Sequence, residues 1–524
     1  MGQVLIRAGK DPFTAVSGEA TLTQDVFNSN TGNYLFAHSV HKTLMTAHAT
    51  VVPNATLSET RQATDKAIAR VNEQFDAFVI PLANAFRPEF QRRLANLTSL
   101  VQGLTIPVVV VGVGAQAGLH DEMPATELDD TVKAFVSAVL DRSASVGVRG
   151  EFTRDYLARL GFGHDTVDII GCPSLFLHGP DFRLPTRTGP LADDSRIALN
   201  VTNGVPGLGD LVRGLHARHP GLVFVGQDRH DLQVVLWGEE PGPGIDLSLP
   251  LHARHPLYLE DKVRFPLETW TWLDYLRDFD FAVGTRLHGN VAALLADTPA
   301  LLLAHDSRTS ELADYHRLPS RRAEGLSESL TAQELWDAYD PEPFDAAYAD
   351  GFATYLAFLE RNGLEHVYTP GNESDEFDAR VAATDFPPPL APLASLHPED
   401  VASRLRWLRD GITFDSTRHR QAYEAPFPYP PPRDQFTAPQ VERRQVQRQL
   451  RHAEKKLHRT ERQLDRSRER HQATTAEMRE RLDRQAERLE VLEAALRRTM
   501  AARVRRLLAR AAAAIRPNRA GRPG

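Results

Sequence analysis

The chain has 524 residues, 42% hydrophobic and 25% charged, enough for two or three domains of ordinary globular composition and incompatible with wholesale disorder. Its one cysteine, Cys172, excludes an internal disulfide and any multi-cysteine zinc site, and is expected as a small buried hydrophobe. The net charge of −8 hides an asymmetry, because 24 Lys and Arg face 11 Asp and Glu after residue 440 while everything before it is acidic, so the two parts should have different partners.

No charged leader precedes an apolar run, and no apolar stretch reaches the roughly 18 residues of a bilayer span, so a cytoplasmic location is expected. From residue 1 to about 320, short β-branched runs alternate with amphipathic segments, the pattern of a parallel α/β sheet. Strands are expected at "AFVIPL", "IPVVVVGVG", "ASVGVR", "VDIIG", "RIALNVT", "LVFVGQ", "FDFAVGT" and "ALLLAH". Several are apolar throughout, as in strands covered by helices on both faces. A Gly-, Pro- and Asp-rich segment near 178–195 reads as a linker, dividing an N-terminal lobe (1–180) from a C-terminal lobe (196–330). The fold class is therefore α/β with two Rossmann-like lobes.

Residues 331–366 read as helices packing back on the lobes. Residues 367–436 contain "FPPPLAPL" and "PFPYPPP" and read as a proline-rich spacer with one helix embedded in it. From 437 to 516 a single long helix is expected. Leu450, Leu457, Leu464, Met478 and Leu492 share a seven-residue period, joined by Leu482, Leu489 and Leu496, which suits a coiled coil and a homo-oligomer. A solvated single helix is the alternative, since His471 and Gln485 fall on the seam. The closing turns set Leu496, Met500, Val504, Leu507, Leu508 and Ile515 against seven arginines. That basic amphipathic pattern suits peripheral contact with the inner face of a membrane, or simply a solvated helix end.

In open α/β sheets the reactive groups follow the carboxyl ends of strands. In "VGTRLHGNVAAL", Arg286 and His288 come directly after a strand, between Gly284 and Gly289, at the start of a helix. Arginine offers a permanent bidentate clamp for phosphate or carboxylate, and histidine a proton that moves near neutral pH. In "SASVGVRGEFTRDYLARLGF", Arg149 ends a strand in the same way, with a salt bridge to Glu151 or Asp155 as the structural alternative. In "VFNSNTGNYLFAHSVHKTL", Asn30, Gly32 and Asn33 form a polar loop before a helix, able to hold a phosphate or sugar, or only to cap. "VVVVGVGAQAG" places Gly112, Gly114 and Gly118 outside the dinucleotide fingerprint, which argues against NAD; Gly114 is kept as a ligand-facing strand end. Asp306, Arg308 and Glu311 could line the same cleft or form a surface turn.

Together, "SVGVRGEFTRDYLARLGF…DIIGCPSLF", "VGTRLHGNVAALLADTPALLL" and "HDSRTSELADYHRLP" resemble the polysaccharide pyruvyl transferase family over roughly residues 20–320, and "NSNTGN" is similar to its N-terminal Asn/Gly loop. The resemblance implies a two-lobed GT-B-like fold. It also implies transfer of pyruvate as a ketal from phosphoenolpyruvate, a donor substrate and not a cofactor, to a sugar of a cell-surface polysaccharide or its lipid-linked precursor. Arg149 and Arg286 would then be anion clamps and His288 an acid/base or phosphate ligand. Asn30, Gly32, Asn33, Gly114, Gly284, Gly289, Asp306 and Glu311 would contact substrate. No metal is expected, because the histidines lack ligand spacing. Nucleic acid is not expected either, because no aromatic stacking platform accompanies the basic tail. The competing readings are a GT-B-like glycosyltransferase using a nucleotide sugar, and a non-catalytic scaffold acting through the C-terminal helix.

Overall fold

The computed structural model describes residues 2–60, 62–116, 127–239, 241–412, 479, 481–485 and 487–511. The chain forms two units, Met1–Val441 and Glu442–Gly524. In the first, all eight expected strands are present together with four others. They are β1 (Gln3–Ile6), β2 (Thr50–Pro53), β3 (Ala77–Pro81), β4 (Val108–Val111), β5 (Val146–Val148), β6 (Val167–Ile169), β7 (Ile197–Asn200), β8 (Leu222–Val225), β9 (Val263–Arg264), β10 (Phe281–Gly284), β11 (Ala300–Ala304) and β12 (Ser320–Arg322). One sheet runs β2-β1-β3-β4, and a β5-β6 pair continues it through a parallel bridge between Val113 and Val148. The other runs β12-β11-β10-β7-β8-β9. Every paired strand in these sheets is parallel, which makes the chain the two-lobed α/β protein expected from its alternating pattern.

Side chains alternate between two buried faces in both sheets. In the first, Val4, Ile6, Val79, Val109 and Val111 face a core shared with the second sheet, while Leu5, Phe78, Ile80, Val108 and Val110 face an outer core. In the second, Ala198, Ala282 and Leu302 face the shared core, and Ile197, Leu199, Val283, Leu301 and Leu303 turn to another outer one. With hydrocarbon on both sides, the strands are apolar throughout and do not alternate with polar residues. The helix Gly32–Leu44 lies in the shared layer and packs on β1 and β3 and on the helices Thr269–Leu276 and Leu287–Leu295. That last helix is apolar nearly all round for the same reason, with eight of its nine residues buried.

The helix Glu342–Arg361 buries Phe344, Tyr348, Phe352, Tyr355 and Phe358 in the shared core, where Tyr355 stacks on Phe176 at 5.2 Å between ring centroids. The described part of the stretch expected as a spacer is docked on both lobes, with Val367 N donating to Thr43 O at 2.9 Å and Lys42 pairing with Asp378 at 2.8 Å on the first, and Leu390 and Arg404 on the second. Leu390 and Phe265 exchange backbone hydrogen bonds of 2.8 and 3.0 Å, and Arg404 Nη1 donates to Val235 O at 3.0 Å. The spacer from 413 to 436, the heptad residues Leu450, Leu457, Leu464 and Met478, Gly118 and Ile515 lie outside the described residues. In the second unit, residues 481–485 and 487–511 are helical. Among the described residues no helix is long and apolar enough to cross a membrane.

The lobes are tied by a fully buried ion pair. Lys10, beyond β1, donates through Nζ to Glu268 Oε2 at 2.6 Å, and both residues are 0% exposed. Lys10 also donates to Thr14 O at 2.8 Å and lies 4.9 Å from the Tyr34 ring centroid. Removing one member of such a pair leaves a desolvated charge and costs about 3–5 kcal/mol, whereas removing both costs far less. Lys10→Met should therefore lower stability to urea by about that amount, and Lys10→Met with Glu268→Leu should recover most of the loss. Additive losses in that double-mutant cycle would show that the pair holds nothing.

Candidate active site

The residues singled out at strand ends converge on one region. Arg149, directly after β5, is 1% exposed. Its Nε donates to Gly112 O at 3.2 Å, its guanidinium lies 5.8 Å from the Phe36 ring centroid, and its Cδ occupies the space a Cβ on Gly114 would need. Among the described residues it has no carboxylate partner, so neither Glu151 nor Asp155 provides the salt bridge weighed from sequence. Burial, and after it the Arg308 charge, bring the Arg149 pKa down to about 10, with Cys172, Glu311 and Asp306 acting in the other direction.

Arg286 is held differently. Its backbone N–H donates to Asn200 Oδ1 at 2.7 Å, its Nε to Val201 O at 2.8 Å, and its Nη2 pairs with Asp228 Oδ2. Gly284 and Gly289 both press against Asn200, leaving no room for a Cβ, so they permit the close Asn200–Arg286 contact. Asp228 and Asp231 form a reciprocal cap on the helix Arg229–Trp237. Burial first, then the Asp228 charge, push the Asp231 carboxyl up, against the pull of Arg286.

His288 is partly buried, with Nε2 3.6 Å from Cys172 Sγ and its ring edge-on to Phe36 at 6.2 Å. A Cβ on Gly32 would stand 2.7 Å from His288 Cβ, so glycine is what lets the Asn loop close over the imidazole. Burial, then Arg149 and Arg308, bring His288 down to about 3, leaving it neutral at physiological pH. Asn30 accepts from Gly32 N at 2.8 Å and from Gln227 Nε2 at 3.4 Å, at the edge of this region. Asn33 instead spends its amide on Phe27 O and Asn28 O and closes its own loop.

Asp306 caps the helix Ser307–His316 through Thr309, accepts from Gln116 Nε2 at 3.3 Å and lies 3.3 Å from Arg308 Nη2. Gln116 in turn accepts from Asn84 at 2.6 Å, three residues before Arg87. The Nε atoms of Arg87 and Arg308 are buried without a hydrogen-bond partner among the described residues. Burial, then Arg308, lower the Arg87 pKa as well. The Arg308 charge thus acts on both Arg87 and Arg149, lowering each. Glu311 is not free to meet a ligand: its carboxylate accepts from Thr153 N at 2.8 Å and Thr153 Oγ1 at 3.1 Å. It caps, from the other lobe, the helix Glu151–Arg159 that follows Arg149.

The strand-end rule applied to "LVFVGQDRH" would have found Asp228 and Gln227. Arg87 lies six residues past β3, too far for that rule, and Asn200 ends β7 as an ordinary-looking polar residue. Beside His305 opens a cavity of about 410 Å³ lined by Val205, Pro206, Gly207, Ala304 and Leu326 among others. Among the described residues no group of three or more His, Cys, Asp or Glu is placed to hold a metal ion.

Two parallel α/β lobes bring a neutral histidine and several guanidinium groups to their strand ends, and the family match makes the chain a transferase. Residues 30–307, more than half of the chain, match the polysaccharide pyruvyl transferase family, and the chain belongs to that family. No curated protein matches the chain. Among solved structures, similarity is found to Staphylococcus aureus MnaA in complex with UDP, at 13% identity, 70% of this chain, 99% of that one and a TM-score of 0.36. It is also found to the UDP-GlcNAc 2-epimerase of Neisseria meningitidis bound to UDP-GlcNAc, at 10%, 69%, 100% and 0.36. HepE of Anabaena in complex with UDP and glucose gives 14%, 70%, 96% and 0.33.

The Glu311 cap makes stability depend on pH. Burial raises its carboxyl from 4.5 to about 7, so the fold prefers the protonated form. Its contribution is complete below pH 4.5 and is lost as pH rises through 7, a difference of about 3 kcal/mol. Glu311→Gln keeps an acceptor for Thr153 N and cannot ionise, so the decline in urea stability between pH 5 and 7 should be shallower in this variant than in the parent. Parallel pH profiles would contradict the assignment.

Proposed function

We propose that the chain transfers pyruvate from phosphoenolpyruvate to two hydroxyls of one sugar in a cell-surface polysaccharide or its lipid-linked precursor, forming a cyclic ketal and releasing phosphate. The observation that carries this reading is Arg149, buried beside Arg308 and His288 with no salt-bridge partner among the described residues. A donor bearing both a phosphate and a carboxylate supplies the direct ion-pair partner that Arg149 lacks.

Protonation of the donor's methylene carbon develops positive charge at C2. One acceptor hydroxyl adds there, the C2–O bond to phosphate breaks, and the second hydroxyl closes the ketal. One hydroxyl proton is balanced by the new methyl group and the other leaves with phosphate. Arg149 and Arg308, with Arg87 behind them, hold the phosphate, and Arg286 holds the carboxylate. His288 donates the proton. In the free chain it is neutral, because burial and the neighbouring arginines disfavour its charge. A bound trianion cancels that field and raises its pKa, so donor and proton arrive together. The largely apolar cavity beside His305 suits the C–H face of a pyranose.

Phosphate release from phosphoenolpyruvate in the presence of an envelope oligosaccharide should fall by roughly 10²–10⁴-fold in His288→Ala, and at least as far in Arg149→Ala, with far-UV dichroism unchanged. Phosphoenolpyruvate, and no nucleotide sugar, should raise the melting temperature. The opposite preference would replace this reading with nucleotide-sugar glycosyl transfer.

The coupling of proton to donor is separately measurable. Titration calorimetry in buffers of different ionisation enthalpy should show about one proton taken up per phosphoenolpyruvate bound near pH 7, and close to none in His288→Ala. Equal uptake in both proteins would remove His288 from the role of acid.

A further inference from the structure

We infer that the C-terminal helical segment 496–511 is a docking face for an anionic membrane surface, and that the self-pairing seam ends where it begins. The seven-residue columns through Leu482, Leu489 and Leu496, and through Gln485 and Leu492, continue onto Thr499, Arg503, Arg506 and Arg510. Three arginines in four successive core positions cannot be buried against identical arginines of a second copy, so the heptad surface stops at Leu496. Thr499 folds its hydroxyl back onto Ala495 O and Leu496 O at 2.9 Å and offers nothing across a seam.

The apolar residues then follow another period. At 100° per residue, Leu496, Met500, Val504, Leu507 and Leu508 fall within an arc of about 120°. All five are more than half exposed. Arg498, Arg503, Arg505, Arg506 and Arg510 occupy the rest of the circumference, and Arg497, inside the apolar arc, pairs with Glu493 at 3.5 Å. No acidic residue follows Glu493. Continuous hydrocarbon on one side and unopposed arginine on the other match the interface of an anionic bilayer, into which such a helix lies flat. A nucleic acid would use the arginines and leave the leucines in water. A second copy would use the leucines and crowd the arginines. Only a charged lipid surface satisfies both faces, and it does so whichever donor the catalytic site takes.

The test is co-sedimentation of the full chain with vesicles of 30% phosphatidylglycerol in phosphatidylcholine, against phosphatidylcholine alone. The expected result is binding to the anionic vesicles at least tenfold tighter than to neutral ones. It should be weakened at least tenfold both by Leu507→Glu with Leu508→Glu and by Arg503→Gln, Arg505→Gln and Arg506→Gln together, with helix content by dichroism unchanged. Three results would overturn the inference. One is equal binding to both vesicles. Another is parental binding by the leucine variant, with or without a fall in molar mass by light scattering, because the stripe would then not be the lipid contact. The last is binding by the leucine variant that is lost only with the arginines, because a purely electrostatic polyanion contact would then suffice.

Discussion

A guanidinium buried with no salt-bridge partner among the described residues is the constraint on which this site depends. Desolvating a cation costs several kcal/mol when no carboxylate answers it, and Arg149 has only a backbone carbonyl and the face of Phe36. The surrounding structure over-determines its position instead. Gly114 leaves room for its stem, and β5 delivers it to the carboxyl edge of the sheet. Glu311 fastens the following helix to the other lobe.

The same fastening runs through the whole site, and much of it crosses between lobes. Cys172 N–H donates to His316 Nε2 at 2.7 Å, Thr31 bonds Gln227 O, and Gln116 reaches Asp306. Each contact uses one lobe's strand-end loop and an element of the other. The groups that could serve a ligand are therefore positioned by partners that do not touch it, which is how a site keeps reactive geometry without loop flexibility.

How much of this was readable before the structure depended on the range over which each feature is encoded. The eight expected strands are short apolar runs whose signal is local. Three of the four missed ones, β2, β9 and β12, are sheet edges, short and partly polar, where burial imposes no hydrophobic code. Arg149, Arg286 and His288 were legible because a polar residue directly after a buried strand has few structural reasons to be there. Glu311 looked like a fourth member, yet its carboxylate is consumed by Thr153, a partner 158 residues away in sequence. Asp228 and Asn200, which anchor Arg286, are equally non-local, and no window along the chain contains both halves of such a contact. At Gly284 and Gly289 the side chain that comes close is Asn200, 84 and 89 positions back along the chain, so it too lies outside any local window.

That difference separates two arginines that look equivalent in sequence. Arg286 is already neutralised by Asp228, and an anion drawn to it must compete with a carboxylate held in a helix cap. Arg149 presents no such competitor, and Arg308, though it touches Asp306, retains a buried Nε without a partner. On the function proposed above, the first negative charge to arrive would be drawn to Arg149 and Arg308. On that same function, Arg286 would become a clamp only when a second charge displaced Asp228. The carboxylate released would then stand beside Asp231, whose own pKa is raised, so the exchange at Arg286 carries a proton affinity with it. A ligand with one anionic group satisfies half of this arrangement, and one with two satisfies all of it.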